Sequence, residues 1–134
     1  DGGRVVVVAD AQVPATQALV RWDPAGFAER ELGERRELGF PPAVTMASVT
    51  GAPAHVRELL EQIERPGSAE LLGPVPVGGA AGESGGSATE RALLRVPRDD
   101  TLALAAALKT AASARSARKD EHLAQIRMDP LQVV

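Results

Sequence analysis

The stretch VTMASVTGAPAHVRELLEQI, residues 44–63, decides the fold. Its first seven residues, Val44 to Thr50, alternate weakly in polarity and read as a strand that Gly51 closes. Pro53 then starts a short helix. Val56, Leu59, Leu60 and Ile63 fall at i, i+3, i+4 and i+7, which is one apolar stripe, while Arg57, Glu58, Glu61 and Glu64 take the other side. A strand followed at once by an amphipathic helix is a unit that buries the helix stripe against one face of a sheet.

Downstream, Arg65-Pro66-Gly67 stops the helix, and the run from Leu71 to Val77 is extended. Pro74 and Pro76 restrict that run to a sheet edge, because proline cannot donate to a ladder. Gly78 to Thr89 is Gly/Ser/Ala-rich with Glu83 as its only charge, and reads as a flexible loop. It lacks the glycine order of a phosphate-binding loop. Ala92 to Val96 is a third strand. Asp99, Asp100 and Thr101 offer N-caps for a helix whose Leu102, Leu104, Ala105, Leu108, Ala111 and Ala112 form a broad, shallow apolar face. Leu123 to Met128 is the last strand, ended by Asp129-Pro130. From Ala43 onward the order is strand, helix, strand, loop, strand, helix, strand. That order predicts an α+β fold, a small mixed sheet with two helices packed on one face.

Upstream, Asp23 caps a helix with Pro24 at its first position, and Gly39 ends it ahead of Pro41-Pro42. Residues Gln12 to Arg21 are weakly helical. The run Val5-Val6-Val7-Val8-Ala9 is continuous, β-branched and apolar, the pattern of a strand buried on both faces. It has no evident partner nearby, so we expect it to complete the sheet of a preceding domain. The chain opens at Asp1 with no signal pattern and has no apolar stretch long enough to span a bilayer. The expectation is a soluble, cytoplasmic segment of a longer protein.

Composition narrows the chemistry. The 134 residues carry no Cys, which excludes disulfides, cysteine zinc sites and thiol catalysis. His55 and His122 are the only histidines, and neither has a nucleophile pattern around it. Asp99-Asp100 is explained by helix capping before metal binding, and Ser113 and Ser116 lack a partnered base. No catalytic set is present. The net charge of −3 excludes a wholly basic nucleic-acid binder but not a local basic face. Arg91, Arg95 and Arg98 precede the second helix, and Lys109, Arg115, Arg118 and Lys119 follow with no acid among them. These form one basic patch if the helix end and the strand lie together, and phosphate contacts need no more than that. A solvated basic helix end is the competing reading.

One passage is far more specific. Phe27-Ala28-Glu29-Arg30-Glu31-Leu32-Gly33-Glu34-Arg35-Arg36-Glu37-Leu38-Gly39-Phe40-Pro41-Pro42 closely resembles the segment that joins the helicase core to the C-terminal domain in the primosomal protein N′ (PriA) family of replication restart helicases. Leu72-Gly73-Pro74-Val75-Pro76, Leu93-Leu94-Arg95-Val96-Pro97, and Arg118-Lys119 followed by Ile126-Arg127-Met128-Asp129-Pro130 resemble further family segments in the right order. The resemblance implies that residues 1–42 hold the last strand of the second helicase lobe and a connector helix. It implies that 43–134 form the C-terminal domain, a ribosomal-protein-like sandwich. It also implies a role in primosome assembly at stalled forks, with binding to forked or single-stranded DNA and to primosome proteins such as the replicative helicase or its loader, and no membrane.

The family is an ATP-dependent 3′ to 5′ DNA helicase. Its ATP and zinc motifs lie upstream, so no cofactor is expected in this segment. The Arg/Ala bias resembles members from high-GC Gram-positive bacteria, some of them with degenerate ATPase motifs, and enzyme activity is left undecided. Family members carry a basic, aromatic loop where this chain has Gly82 to Glu90. The expected DNA contacts therefore shift to Arg91, Arg95, Lys109, Arg115, Arg118 and Lys119. Two alternatives stand beside this. A protein-docking module without direct DNA contact would use the apolar edge from Leu71 to Val77. A small-ligand domain would need a deep pocket lined by both helices.

Overall fold

The central strand, β1 (Val44–Gly51), is buried at five consecutive positions, Thr45 to Val49. The computed structural model describes residues 2–77, 88–116 and 124–130, without the side chains of 115 and 116. The other elements are α1 (Pro14–Arg21), α2 (Pro24–Leu38), α3 (Pro53–Gln62), β2 (Glu70–Pro76), β3 (Glu90–Pro97), α4 (Thr101–Ser116) and β4 (Gln125–Met128), with a 3-10 turn at Arg98–Asp100. The chain divides into two units, Asp1–Leu38 and Gly39–Val134.

In the first unit, α1 begins with Pro14 and ends on Trp22 in the left-handed region, φ 54°. Asp23 caps α2 as its sequence predicts, its carboxylate accepting the Gly26 N–H at 2.9 Å. Arg35 pairs with Glu31 at 3.3 Å, an exposed i,i+4 contact that adds a few tenths of a kcal/mol. The strand expected at Val5–Val8 is absent. These residues lie outside any helix or strand, and Val5, Val6 and Val8 are almost wholly exposed. A strand exists only where its N–H and C=O groups find partners, and no described residue pairs with this run.

The second unit is a four-stranded sheet in the order β2-β3-β1-β4. Every pairing is antiparallel, so the expected mixed sheet is corrected to an antiparallel one. The reason is that β1 and β2 run one way and β3 and β4 the other, and β3 lies between β1 and β2, so no two neighbours are parallel. β2 is an edge strand, as its prolines require, and a register shift between Leu72 and Val75 marks the place where Gly73 turns at φ +88°.

Alternation assigns the faces. Ala47 and Val49 of β1 and Ala92, Leu94 and Val96 of β3 pack with Val56, Leu59 and Ile63 from α3 and Leu104, Leu108 and Ala111 from α4. Both helices therefore cover one face. Leu102, expected on that face, is 83% exposed. Leu104, Leu108 and Ala111 follow i, i+4 and i+7, and Leu102 lies about 200° around the helix from Leu104. Of the expected last strand, Gln125–Met128 forms β4 and Ala124 lies outside it; Leu123 and residues 78–87 of the expected loop lie outside the described residues.

One polar contact pins α4 to β1. The Thr101 hydroxyl donates to the Arg98 carbonyl at 2.6 Å, so the buried Thr45 hydroxyl, 2.6 Å away, donates to Thr101. Asp100, expected as a helix cap, accepts the Ser68 hydroxyl through its carboxylate. Thr101→Val removes the acceptor of a buried donor and should cost about 1–3 kcal/mol. Thr45→Val removes that donor with its burial preserved and should cost clearly less. Urea unfolding of the two variants followed by circular dichroism checks the order.

Candidate nucleic-acid interface

The helix-free face of the sheet carries the residues that alternate with the core. Arg91, Leu93 and Arg95 of β3 lie opposite Thr50, Ser48 and Met46 of β1. On the other side of β1, Gln125 and Arg127 of β4 lie opposite Thr50 and Ser48. Arg91 and Arg127 are thus diagonal across β1, separated by two strand spacings and two residues, roughly 12 Å between their Cα atoms. Between them is an open depression of about 820 Å³ lined by Ser48, Thr50, Arg91, Gln125, Arg127 and Asp129, with Met128 and Pro130 at its side. Arg91 Nε donates to the Thr50 hydroxyl at 3.4 Å. The floor is hydroxyl and amide, and the two cations rise from opposite strands.

Asp129 is the one acid in the lining, and it is engaged. Its N–H donates to the Met46 carbonyl at 2.7 Å, and its carboxylate accepts the Met46 N–H at 3.1 Å. It holds φ +42°, a region that Asp tolerates better than most residues. This closes the β1–β4 ladder one residue beyond Met128.

The structure separates the sequence-predicted cations. Arg95 shares the open face with Arg91, but its guanidinium binds Glu70 through both Nε, at 3.1 Å, and a terminal nitrogen. It also donates to the Gly39 carbonyl at 3.3 Å. Gly39 sits at φ +66°, and a Cβ there would land on the Arg95 guanidinium. Arg98 donates to the Pro42 carbonyl at 2.8 Å. Arg95 and Arg98 thereby hold residues 39–42 against the end of β3. Lys109 is exposed on α4, which covers the opposite face, beside a small apolar hollow formed by Leu108, Ile126 and Met128. The sheet lies between Lys109 and Arg91. Arg115 belongs to α4, and its side chain, like Arg118 and Lys119, lies outside the described residues.

Arg127 was not among the expected contacts. The alternation of Gln125 and Arg127 on one side of the last strand was visible in the sequence; that this strand flanks β1 opposite β3 was not. Among the described residues no group of three His, Cys, Asp or Glu is placed to hold a metal ion. No described helix is long and apolar enough to cross a membrane.

Residues 36–131 match the family model described as "Primosomal protein N C-terminal domain". The chain is 44% identical over 137 residues to the "Probable replication restart protein PriA" of Mycobacterium leprae (strain TN), covering 99% of this chain and 21% of that protein. It is 41% identical over 143 residues to the protein of the same description from Mycobacterium tuberculosis (strain ATCC 25618 / H37Rv), covering 98% and 22%. The chain spans about a fifth of the length of the curated relatives it matches.

Asp129→Ala strips the buried Met46 N–H of its acceptor and places a Cβ-only residue at positive φ, and should destabilise by about 1–3 kcal/mol. Asp129→Asn keeps both the acceptor and the tolerance for that backbone. It should retain most of the stability in the same thermal or urea melt.

Proposed function

The chain belongs to the primosomal protein N C-terminal domain family, and from that premise we propose that it is the C-terminal module of a replication restart protein. In this reading it binds forked or single-stranded DNA and primosome proteins, such as the replicative helicase or its loader, at stalled forks. The observation that carries it is the pairing of Arg91 and Arg127 over a floor of Ser48, Thr50 and Gln125. Arg, Ser, Thr and Gln side chains are the ordinary partners of phosphate oxygens, and the guanidinium fork suits them better than an ammonium does. The run Lys109, Arg115, Arg118 and Lys119 is a second proposed contact. Arg95 contributes indirectly, by fixing residues 39–42 beside the face.

The reading assigns residues 1–42 to the end of a helicase lobe with its connector, and 43–134 to the C-terminal module. Support comes from Val5–Val8, whose exposed β-branched side chains suit a strand that pairs elsewhere, and from relatives roughly five times longer. ATP and zinc belong to the remainder of such a protein in this reading.

A second reading is favoured by the β2 edge, where Leu72 is 39% and Val75 54% exposed. That edge suits an extended peptide from a partner protein. Leu72→Glu with Val75→Glu should abolish partner binding and leave DNA binding unchanged.

For the DNA reading, fluorescence anisotropy with forked DNA at several salt concentrations is the test. Arg91→Ala and Arg127→Ala should each weaken binding uniformly across sequences and flatten the dependence of log K on log salt by about 1. An unchanged salt slope in both variants would refute the assignment.

A further inference from the structure

Resting on the reading that the open face meets DNA, we propose that the Arg91–Arg127 face grips the phosphate backbone of a duplex arm rather than the bases of an unpaired strand. The argument starts from what the depression lacks. The one aromatic residue of the second unit is Phe40, and it does not line the depression. Single-strand binding surfaces draw much of their affinity from stacking bases on aromatic rings. The lining of the depression has no such platform.

Beside the Asp129 carboxylate, which is engaged with Met46, and the apolar Met128 and Pro130, the depression offers groups suited to phosphate. Arg91 and Arg127 stand at its two sides, and Ser48, Thr50 and Gln125 supply hydroxyl and amide groups between them. Ser48 is buried in the floor, 4% exposed. The separation of the two arginines, roughly 12 Å between Cα atoms, is also the width of the duplex major groove, about 12 Å. That spacing also suits phosphates along one strand, so it is the missing stacking platform that decides.

For a face that uses phosphates only, the polymer of higher charge density wins. A duplex carries one charge per about 1.7 Å of axis, and its counterion release is steeper, about 0.9 per neutralised phosphate against about 0.7 for single strands. With two phosphate contacts, that difference favours the duplex by about threefold at low salt.

The test compares a blunt duplex and a single strand of the same length, each in two unrelated sequences, against the 134-residue chain by fluorescence anisotropy at low and moderate salt. The duplex should bind at least about threefold more tightly, with no preference between sequences. The double variant Arg91→Ala, Arg127→Ala should lose about tenfold or more of duplex affinity and about 2 from its salt slope. The Arg91→Lys, Arg127→Lys variant, which keeps both charges, should retain most of the affinity and the slope. A single strand that binds as tightly as the duplex, and that also depends on the two arginines, overturns the duplex assignment and leaves the DNA reading standing. Binding to neither polymer overturns the two together, and binding indifferent to both arginines overturns the assignment of this face.

Discussion

Strand β1 is hydrogen-bonded along both edges, to β3 on one side and β4 on the other, and the second unit depends on that double pairing. A strand in this position has few backbone groups that water can satisfy, so the N–H and C=O groups of its buried residues, Thr45 to Val49, need protein partners. β3 supplies a full set across Val44–Gly51, whereas β4 reaches only from Thr50 to Ala47. Asp129 completes the shorter side, donating its own N–H and offering its carboxylate to Met46. At the far end, Gly51 allows the close approach of Ala124, whose Cα would lie 3.1 Å from an added Cβ. The helices cover one face of this ladder, and Thr45 ties its start to the first turn of α4 through Thr101. The open face, and anything it binds, is therefore built around a strand held on both edges.

Local chemistry in the sequence was enough to place most elements. Asp23-Pro24 and Gly39 bracket α2 because capping and the left-handed C-terminus are short-range requirements. Pro53 opens α3, and its stripe of Val56, Leu59 and Ile63 enters the core. Pro74 and Pro76 announce an edge strand, and β2 is one. The weak alternation in β1 has a physical meaning as well. Thr45, Met46, Ala47, Ser48 and Val49 are all buried, so neither face selected for strongly polar residues.

What the sequence hid is set by pairings distant along the chain. Arg91, Arg95 and Lys109 are near neighbours in sequence, yet β3 directs two of them to the open face and α4 holds the third beyond the opposite one. Arg127, some thirty residues further on, becomes the counterpart of Arg91 only because β4 pairs with β1. Arg95 looked equivalent to Arg91 by charge and spacing. Glu70, its partner across the β2–β3 ladder, makes it a structural clamp. Leu102 looked like core by composition, but helical geometry turns it outward. Each of these depends on which strand neighbours which, a property no local pattern encodes.

A positive face on a chain of net charge −3 is physically consistent. At physiological ionic strength exposed charges are screened within about 8 Å. The acids of α3, Glu58 and Glu61, belong to the helix layer on the other side of the sheet, so they do little to cancel the field over Arg91 and Arg127, which Asp129 in the same lining offsets only in part. Two arginines still make a weak, salt-sensitive grip by themselves. In the proposed setting that weakness is no defect. If the rest of a longer protein already holds the DNA, a tethered face meets it at an effective concentration on the order of millimolar. A weak contact then adds orientation without making release slow. A stacking platform would hold whichever bases it met, whereas a phosphate-only face lets the duplex slide past until the neighbouring contacts fix it.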